Sequence, residues 1–297
     1  MQRRPGITLI EVLVAIFIMG IGMIALLTLF PLGAINVAQA LRHDRASQCA
    51  TNANANANAW NLRHDANVAS AFVTQINAGL SVTGPSSPVY VDPFYQPLAG
   101  GTTLSGLSRI SPSYVNVASG PQTALWFSLL DDINFDLNGV ATGSGSGAAF
   151  ASPQTVTRTG RYTWAYLLRR PRLQDETTVD MSVVVYADRI TQTVDGENAF
   201  SATGTLGTTT LTLTFTAGAK PSIRNGSWIL DVTQDGKVVR GNFYRVIDAV
   251  EVPGSNQFTL ELQTPLKSAV ASVSTAFTVV VMDRVVEVFD RGTGYTP

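Results

Sequence analysis

The apolar positions of the chain begin with one long run near the N-terminus. From Val12 to Ile35 there are 24 residues without a charge. A helix rises about 1.5 Å per residue, so this run would extend roughly 36 Å and exceed the ~30 Å hydrocarbon layer of a membrane. Because Arg3 and Arg4 precede it, the positive-inside rule places the short N-terminus in the cytoplasm. The pattern predicts a transmembrane helix over 7–35 with the remaining chain outside.

A weaker helical pattern continues beyond the apolar run. Small apolar residues and one tryptophan recur at spacings of three and four, at Ala46, Cys49, Ala53, Ala57 and Trp60. Alanine alternates with asparagine over 51–59, but both are depleted in strands and alanine is the best helix former. Asp65 is expected to cap a second helix with Val68 and Phe72 on one face. We therefore expect an extended helix continuation and a second helix over 36–79.

Period-two patterns follow a region dense in proline, glycine and serine. Tyr162–Leu168 alternates with one aromatic face, and Val179–Val185 alternates with an aliphatic one. Antiparallel pairing across the Arg169–Thr178 loop is the natural inference. We assign 80–201 to a loop-rich α+β head whose core is formed by these two strands.

The last third of the chain is patterned as strands throughout. Alternating segments separated by turn signals at Asp235-Gly236 and Pro253-Gly254 predict a β-rich inserted subdomain over 202–267. A final strand pair, Phe277–Met282 and Val285–Phe289, is expected to complete the head within 268–297. The predicted fold class is α+β. A long N-terminal transmembrane helix is followed by an antiparallel β-sheet globular head with an extra all-β subdomain.

Composition narrows the function classes. The chain has 20 basic and 21 acidic residues, a balance without the electrostatic footprint of a nucleic-acid-binding protein. Cys49 is the sole cysteine, so no intramolecular disulfide can form. A nucleophile elbow, a phosphate-binding glycine loop and paired catalytic carboxylates are all missing from the sequence. We therefore expect neither an enzyme nor a cofactor.

One segment has oxygen-bearing side chains at alternate positions. These weak calcium candidates are Asp132, Asn134, Asp136 and Asn138. A calcium loop of the EF-hand type needs glycine sixth and glutamate twelfth, where this chain has Leu137 and Gly143. The alternation with apolar residues also fits an exposed strand edge or turn, and that reading is favoured.

Two histidines and an arginine cluster are the remaining polar candidates. His43 and His64 lack a cysteine or third histidine at ligand spacing, so solvated side chains are favoured over metal ligands. Arg169, Arg170 and Arg172 form a small basic cluster. A solvated or subunit-contacting loop is favoured there over a ligand site.

Glu11 stands at the mouth of the apolar run and follows a glycine by five positions. A carboxylate at the centre of such a segment costs about 2.5–3.5 kcal/mol, so it needs a partner. The stretch from Gly6 to Glu11 resembles the type III signal of the type IV pilin and pseudopilin superfamily, most closely in PilV-like minor pilins. In that family a basic leader ends in glycine, a peptidase cuts after it, the new N-terminal residue is methylated, and glutamate is fifth in the mature chain.

The resemblance carries specific expectations. Residues 1–6 would be the leader, cleavage would fall between Gly6 and Ile7, and Ile7 would be N-methylated. Glu11 would serve subunit assembly, because it can pair with the buried Ile7 amine of a neighbouring subunit. The chain departs from the family in having isoleucine rather than phenylalanine at the first mature position, and its helix proline, Pro31, comes slightly late.

The implied function is that of a minor pilin or pseudopilin of a type IV pilus or a type II secretion pseudopilus. Its expected partners are other pilin or pseudopilin subunits, prepilin peptidase, an inner-membrane assembly platform and, before assembly, membrane lipid. The expected location is the inner membrane, with the head outside the cytoplasm, and then an extracytoplasmic filament.

Three alternatives remain open at this point. Ala38-Gln39-Ala40 matches the cut site of an ordinary secretory signal, but the apolar run is longer than such signals carry. A generic single-pass anchor gives no reason for Gly6 or Glu11. A membrane-anchored extracytoplasmic binding protein that does not polymerise is the alternative from a different functional class, and Glu11 is the feature that argues against it.

Overall fold

A computed structural model describes eleven stretches of the chain: 9–77, 88–93, 107–115, 127–129, 133–135, 156–158, 161–170, 178–189, 197–235, 238–267 and 275–295. The chain divides into two compact units, Met1–Arg45 and Ala46–Pro297. The helices are α1, Leu9–Ala59, and α2, Ala66–Asn77, with a short 3₁₀ turn at Leu62–His64 between them.

The membrane span expected at 7–35 is not confirmed. Within the residues that the structure describes, no helix is long and apolar enough to cross a membrane.

The strands fall into two main groups, one on each side of residue 197. The first group is β1 Val89–Val91, β2 Ser108–Ile110, β3 Ile133–Phe135, β4 Val156–Arg158, β5 Tyr162–Arg169 and β6 Thr178–Ala187. The second is β7 Ala199–Gly204, β8 Thr210–Thr214, β9 Trp228–Asp231, β10 Gln234–Asp235, β11 Val238–Val239, β12 Asn242–Val252, β13 Gln257–Leu262, β14 Ala276–Met282 and β15 Val285–Tyr295.

The cap of α2 forms as the sequence predicts. Asp65 Oδ1 accepts the backbone N–H groups of Asn67 at 2.9 Å and Val68 at 3.4 Å. Its other oxygen accepts the N–H of Ser113 at 2.8 Å, so one carboxylate joins the helix to a loop beyond β2. Val68 and Phe72 are buried on the predicted face.

A five-stranded sheet has the order β15-β6-β5-β1-β2 among the described strands. β1 and β2 run parallel, and the other neighbours are antiparallel. The predicted hairpin is confirmed, because β5 pairs with β6 from Tyr162↔Ala187 to Arg169↔Asp180.

The first face of this sheet packs against the C-terminal part of α1. The helix contributes small side chains, at Ala46, Cys49, Ala50, Ala53 and Ala57, all buried. Short side chains let the strands lie close, and the Tyr166 hydroxyl donates to the Ala53 carbonyl at 2.9 Å while accepting from Trp164 Nε1 at 2.8 Å. Burial raises the pKa of the Cys49 thiol, which packs here as a small apolar side chain.

Trp60 differs from its expected place on that helix face. It lies beyond the end of α1 and is 42% exposed, with its ring stacked on Tyr114 at 4.6 Å between centroids. Asn61, with a left-handed φ of 49°, then turns the chain away from the direction of α1.

Six strands of the second group form a closed barrel, in the order β12-β13-β8-β7-β14-β9 for the strands described, while β10 and β11 pair with each other and β15 joins the five-stranded sheet. Its interior is filled by alternate residues of each strand, including Phe200, Leu211, Leu213, Tyr244, Leu260, Phe277 and Val279. The strands run from Ala199 to Met282, so they begin before and end after the subdomain expected at 202–267.

The expected final strand pair is wrong. β14 pairs with β7 and β9 inside the barrel, whereas β15 pairs with β6 in the sheet. The physical reason is that both faces of β14 are buried. Phe277 and Val279 face the barrel core, and Val280 and Met282 face the sheet, so the sequence pattern alone does not say which neighbour the strand pairs with.

The barrel covers the second face of the sheet. Ala165, Leu167, Val184 and Tyr186 point away from α1 and join one apolar cluster with Trp228, Leu230, Val280 and Met282 of the barrel. Successive strand residues face opposite ways, so the sheet is the middle of three layers formed by helix, sheet and barrel.

Four buried charges lie beside this junction. Asp92, directly after β1, is fully buried, and its carboxylate accepts from Arg109 Nε and Arg189 Nη1, each at 3.1 Å. Arg109 also pairs with Glu197, two residues before the first barrel strand. Burial alone would raise the pKa of the Asp92 carboxyl, but Arg189 and Arg109 outweigh that effect and hold its pKa well below the usual range. Two cations therefore balance two carboxylates.

The packing predicts that replacing Trp164 with alanine lowers the stability of the fold much more than replacing Trp60 does. Trp164 is 1% exposed, and replacing a buried tryptophan with alanine costs about 3–5 kcal/mol. Trp60→Ala removes a half-exposed ring and an aromatic pair worth about 0.5–1.5 kcal/mol. Thermal unfolding followed by circular dichroism should therefore show a much lower Tm for Trp164→Ala than for Trp60→Ala. Equal shifts would contradict the assignment of Trp164 to the core.

The ion cluster predicts a specific pH dependence. The pKa of Asp92 is depressed in the folded state, so its contribution to stability is complete above the unfolded value of about 3.9 and declines as the pH falls below it. Asp92→Asn leaves two guanidinium groups short of a counter-charge, which costs about 3–5 kcal/mol at neutral pH.

Denaturant midpoints between about pH 2 and pH 7 measure both effects. The wild type should lose stability on acidification, and Asp92→Asn should start lower and lose less. Asp283→Asn, at an exposed carboxylate, should follow the wild type. A constant difference between Asp92→Asn and the wild type across this range would refute the coupling.

Candidate functional site

The N-terminal part of α1 exposes an apolar surface on all sides. Ile16, Phe17, Ile18 and Met19 are four successive residues, and their exposed fractions are 63%, 68%, 64% and 68%. Successive helical residues point about 100° apart, so no polar side separates them. Most large apolar residues between Leu9 and Leu41 whose side chains the structure describes share this exposure. A helix that is hydrophobic all round belongs in the interior of a larger assembly or in a membrane.

Glu11 is the only acidic residue in the first turn of this helix, and its side chain is exposed. A carboxylate near a helix N-terminus is favoured by the macrodipole. Its neighbours are apolar, with Ile10 71% and Leu13 58% exposed. The carboxylate therefore marks one end of the apolar surface. Gly6 and Ile7 lie outside the described residues, so the structure does not show the predicted cleavage site.

Three glycines and a proline interrupt the helical surface. A Cβ atom added at Gly20, Gly22 or Gly33 would have no atom within 4 Å. No contact within the described part of the chain therefore requires glycine at those positions, and the missing side chains leave room for close approach by another helix. Pro31 lies inside α1 and removes one backbone hydrogen bond from it.

Only one of the four weak calcium candidates lies in the part of the chain that the structure describes. Asn134 lies in β3 and pairs with Thr157 of β4, while the other calcium candidates, Asp132, Asp136 and Asn138, lie outside the described residues. His64 Nδ1 lies 2.8 Å from Asn61 Oδ1 in an exposed local contact, and His43 is exposed on α1. Across the described stretches, no group of three or more His, Cys, Asp or Glu side chains could hold a metal ion.

The arginine cluster is divided between two environments. Arg169 Nη1 donates to Asn242 Oδ1 at 3.2 Å, and its Nη2 lies 3.7 Å from Asp180. The Arg170 guanidinium stacks 4.5 Å from the centroid of the Phe72 ring, so this half-buried side chain contacts α2. Arg172 lies outside the described residues. Sequence reasoning missed Asn242, because it is 73 positions from Arg169 and no local pattern connects them.

The N-terminus matches a known family pattern. Residues 1–27 match the prokaryotic N-terminal methylation motif. No curated protein matches the chain. The matched stretch includes Gly6, Ile7 and Glu11 and the first half of the exposed apolar surface.

This motif is found on prepilin-processed subunits that associate with other pilin subunits and are membrane-anchored before they join a surface filament. The proteins that carry it are structural subunits and not enzymes. The resemblance inferred from the Gly6 to Glu11 stretch is thereby confirmed. The match gives the chain an N-terminal methylation motif at residues 1–27, and this motif supports the type IV pilin and pseudopilin family.

Proposed function

We propose that the chain is a minor pilin or pseudopilin, in the manner of the PilV-like minor pilins. It would be inserted in the inner membrane through 7–35, freed of its leader 1–6 by prepilin peptidase, and passed by an assembly platform into a type IV pilus or type II secretion pseudopilus. The observation that carries the proposal is the all-round apolar surface of α1 with Glu11 at its end, within the matched motif.

The apolar surface supports two successive environments. Exposed side chains such as Phe17 at 68% and Phe30 at 80% are unfavourable in water, and each large apolar side chain contributes about 1.5–3 kcal/mol when it is buried. Lipid covers this surface before assembly, and the helices of other subunits cover it afterwards. The same residues thus serve as anchor and as filament core.

Glu11 supports the register between subunits. Cleavage after Gly6 would create a cationic amine at Ile7, one helical turn before this carboxylate. In a filament core both charges are removed from water, and a buried charge without a partner is strongly destabilising. Pairing of the Ile7 amine with Glu11 of a neighbour satisfies both charges and fixes the axial offset of the two helices.

The barrel favours a subunit that is present in only a few copies per filament. It adds a second β-structure, β7 to β14, to a head that already has a helix and a sheet. A filament built from this chain alone would have to accommodate that barrel at every position. A subunit present in few copies avoids the constraint, which is why we place the chain among minor rather than major subunits.

Processing gives the first test. N-terminal mass spectrometry of the membrane-associated protein should find a chain that starts at N-methylated Ile7. Gly6→Leu should remain uncut, because a bulky residue replaces the small one at the scissile bond, whereas Thr8→Ser should be processed normally. A mature terminus at Leu41, directly after the Ala38–Ala40 triplet, would instead indicate an ordinary secretory signal and would overturn the proposal.

Assembly gives the second test. Glu11→Ala removes a costly carboxylate from the apolar segment, so the amount in the membrane should equal or exceed that of the wild type. The variant should be depleted at least about tenfold from sheared filaments, the effect of losing about 1.4 kcal/mol or more per pairing. Asn36→Ala, at an exposed polar position of the same helix, is the control and should assemble. Glu11→Ala at wild-type level in filaments would disprove the pairing and favour the non-polymerising alternative.

A further inference from the structure

A polar cleft of about 240 Å³ lies between one end of the sheet and the barrel. It is smaller than the roughly 300–1,000 Å³ of pockets for drug-sized ligands, so it suits one small chemical unit. Leu167 and Trp228 belong to the apolar cluster between sheet and barrel and also line the cleft. The cleft therefore begins at the edge of that cluster.

The sheet supplies the floor of the cleft. Ser182 is the cross-strand partner of Leu167 on one side and of Asp290 on the other, and Asp180 pairs in register with Arg169. Residues two apart on a strand share a face, so these side chains continue the barrel-facing side of the sheet. On this part of the barrel-facing side, the exposed groups are hydroxyl, carboxylate and guanidinium groups instead of apolar side chains.

The barrel supplies a wall that is held in place. The Tyr244 hydroxyl accepts the backbone N–H of Lys267 at 2.8 Å, which fixes the segment after β13 against β12. Gly241 has φ +62°, and a Cβ there would clash with the Pro88 ring, so the start of β12 is pressed closely onto the head. Asn242 is held by Arg169 across the cleft at 3.2 Å.

The charges of the lining balance. Arg169 and Lys267 are the cations and Asp180 and Asp290 the carboxylates, with one of each already in contact at 3.7 Å. A cationic ligand would lie near the two lysine and arginine cations, and an anionic ligand near the two carboxylates. Such contact between like charges costs several kcal/mol at an interface. A neutral ligand avoids that cost. The lining also offers both donors and acceptors, which a hydroxyl group needs because it both donates and accepts.

Aromatic rings complete the chemistry. Trp228 and Phe243 line the same cleft, and aromatic faces bind the apolar C–H side of a ring whose edges carry hydroxyl groups. Hydroxyl edges, an apolar face and no net charge together describe a sugar. We propose that this cleft binds a single neutral sugar residue, a hexose or N-acetylhexosamine, of a glycan that meets the head.

Saturation-transfer NMR on the full chain, in a detergent without a sugar headgroup, tests the proposal. The neutral probes are glucose, galactose and N-acetylglucosamine. N-acetylneuraminic acid serves as an anionic comparison sugar and glucosamine as a cationic one. At least one neutral sugar should bind with a Kd on the order of 1 mM, as the atom count of a monosaccharide allows. Both charged sugars should bind more weakly than that one.

Two pairs of variants locate the site. Thr264→Trp fills the rim of the cleft and should abolish binding, whereas Thr216→Trp, at an exposed position outside the lining, should not. Asp290→Asn should weaken binding about tenfold by removing a charged acceptor, while it keeps the carbonyl that receives the Gly292 N–H. Asp283→Asn is its control. Binding that Thr264→Trp leaves unchanged, or the absence of any neutral-sugar signal, overturns the proposal.

Discussion

Burial of the central sheet on both faces is the constraint on which the head depends. Along β5, Trp164 and Tyr166 point toward the small side chains of α1, and Ala165 and Leu167 point toward the barrel. A shift of one residue in register would exchange the two sets and place aromatic rings where the barrel needs small or aliphatic ones. Helix and barrel therefore specify the same register from opposite sides.

The buried charges add a directional element to this apolar packing. Apolar contacts tolerate small displacements, but Asp92 accepts from Arg109 and Arg189 in defined directions. Arg109 extends the contact to Glu197 at the start of the barrel segment. Buried ion clusters add little net stability when their charges are balanced. Their effect here is to fix where the barrel segment leaves the sheet.

Local patterns were predictable from the sequence, and long-range pairing was not. The Asp65 cap, the buried alanine face of α1 and the β5–β6 hairpin each depend on residues close in sequence, and each is confirmed. The assignment of β14 was wrong because both of its faces are apolar and either neighbour would satisfy them. The contact between Arg170 and Phe72 could not be predicted, because the two residues are about 100 positions apart in the sequence.

The same division holds for the candidate sites. The residues of the N-terminal methylation motif are consecutive in the sequence, and residues 1–27 match the family pattern. The polar cleft is assembled from three strands of the sheet, from β9 and β12 of the barrel and from the segment after β13. Its residues have no shared spacing, so only the fold brings them together.

The two ends of the barrel segment return to the same place. The chain leaves the sheet after β6 and rejoins it at β15, and these strands are neighbours joined by Ala187 N–H donating to the Arg284 carbonyl at 2.9 Å. Segments whose ends lie close together are the ones that proteins exchange with least disturbance. The barrel is thus an insertion between two neighbouring strands of the sheet. Replacing the barrel segment would therefore change what the head displays without changing the pairing of β6 with β15, and the helix and the sheet would stay the same.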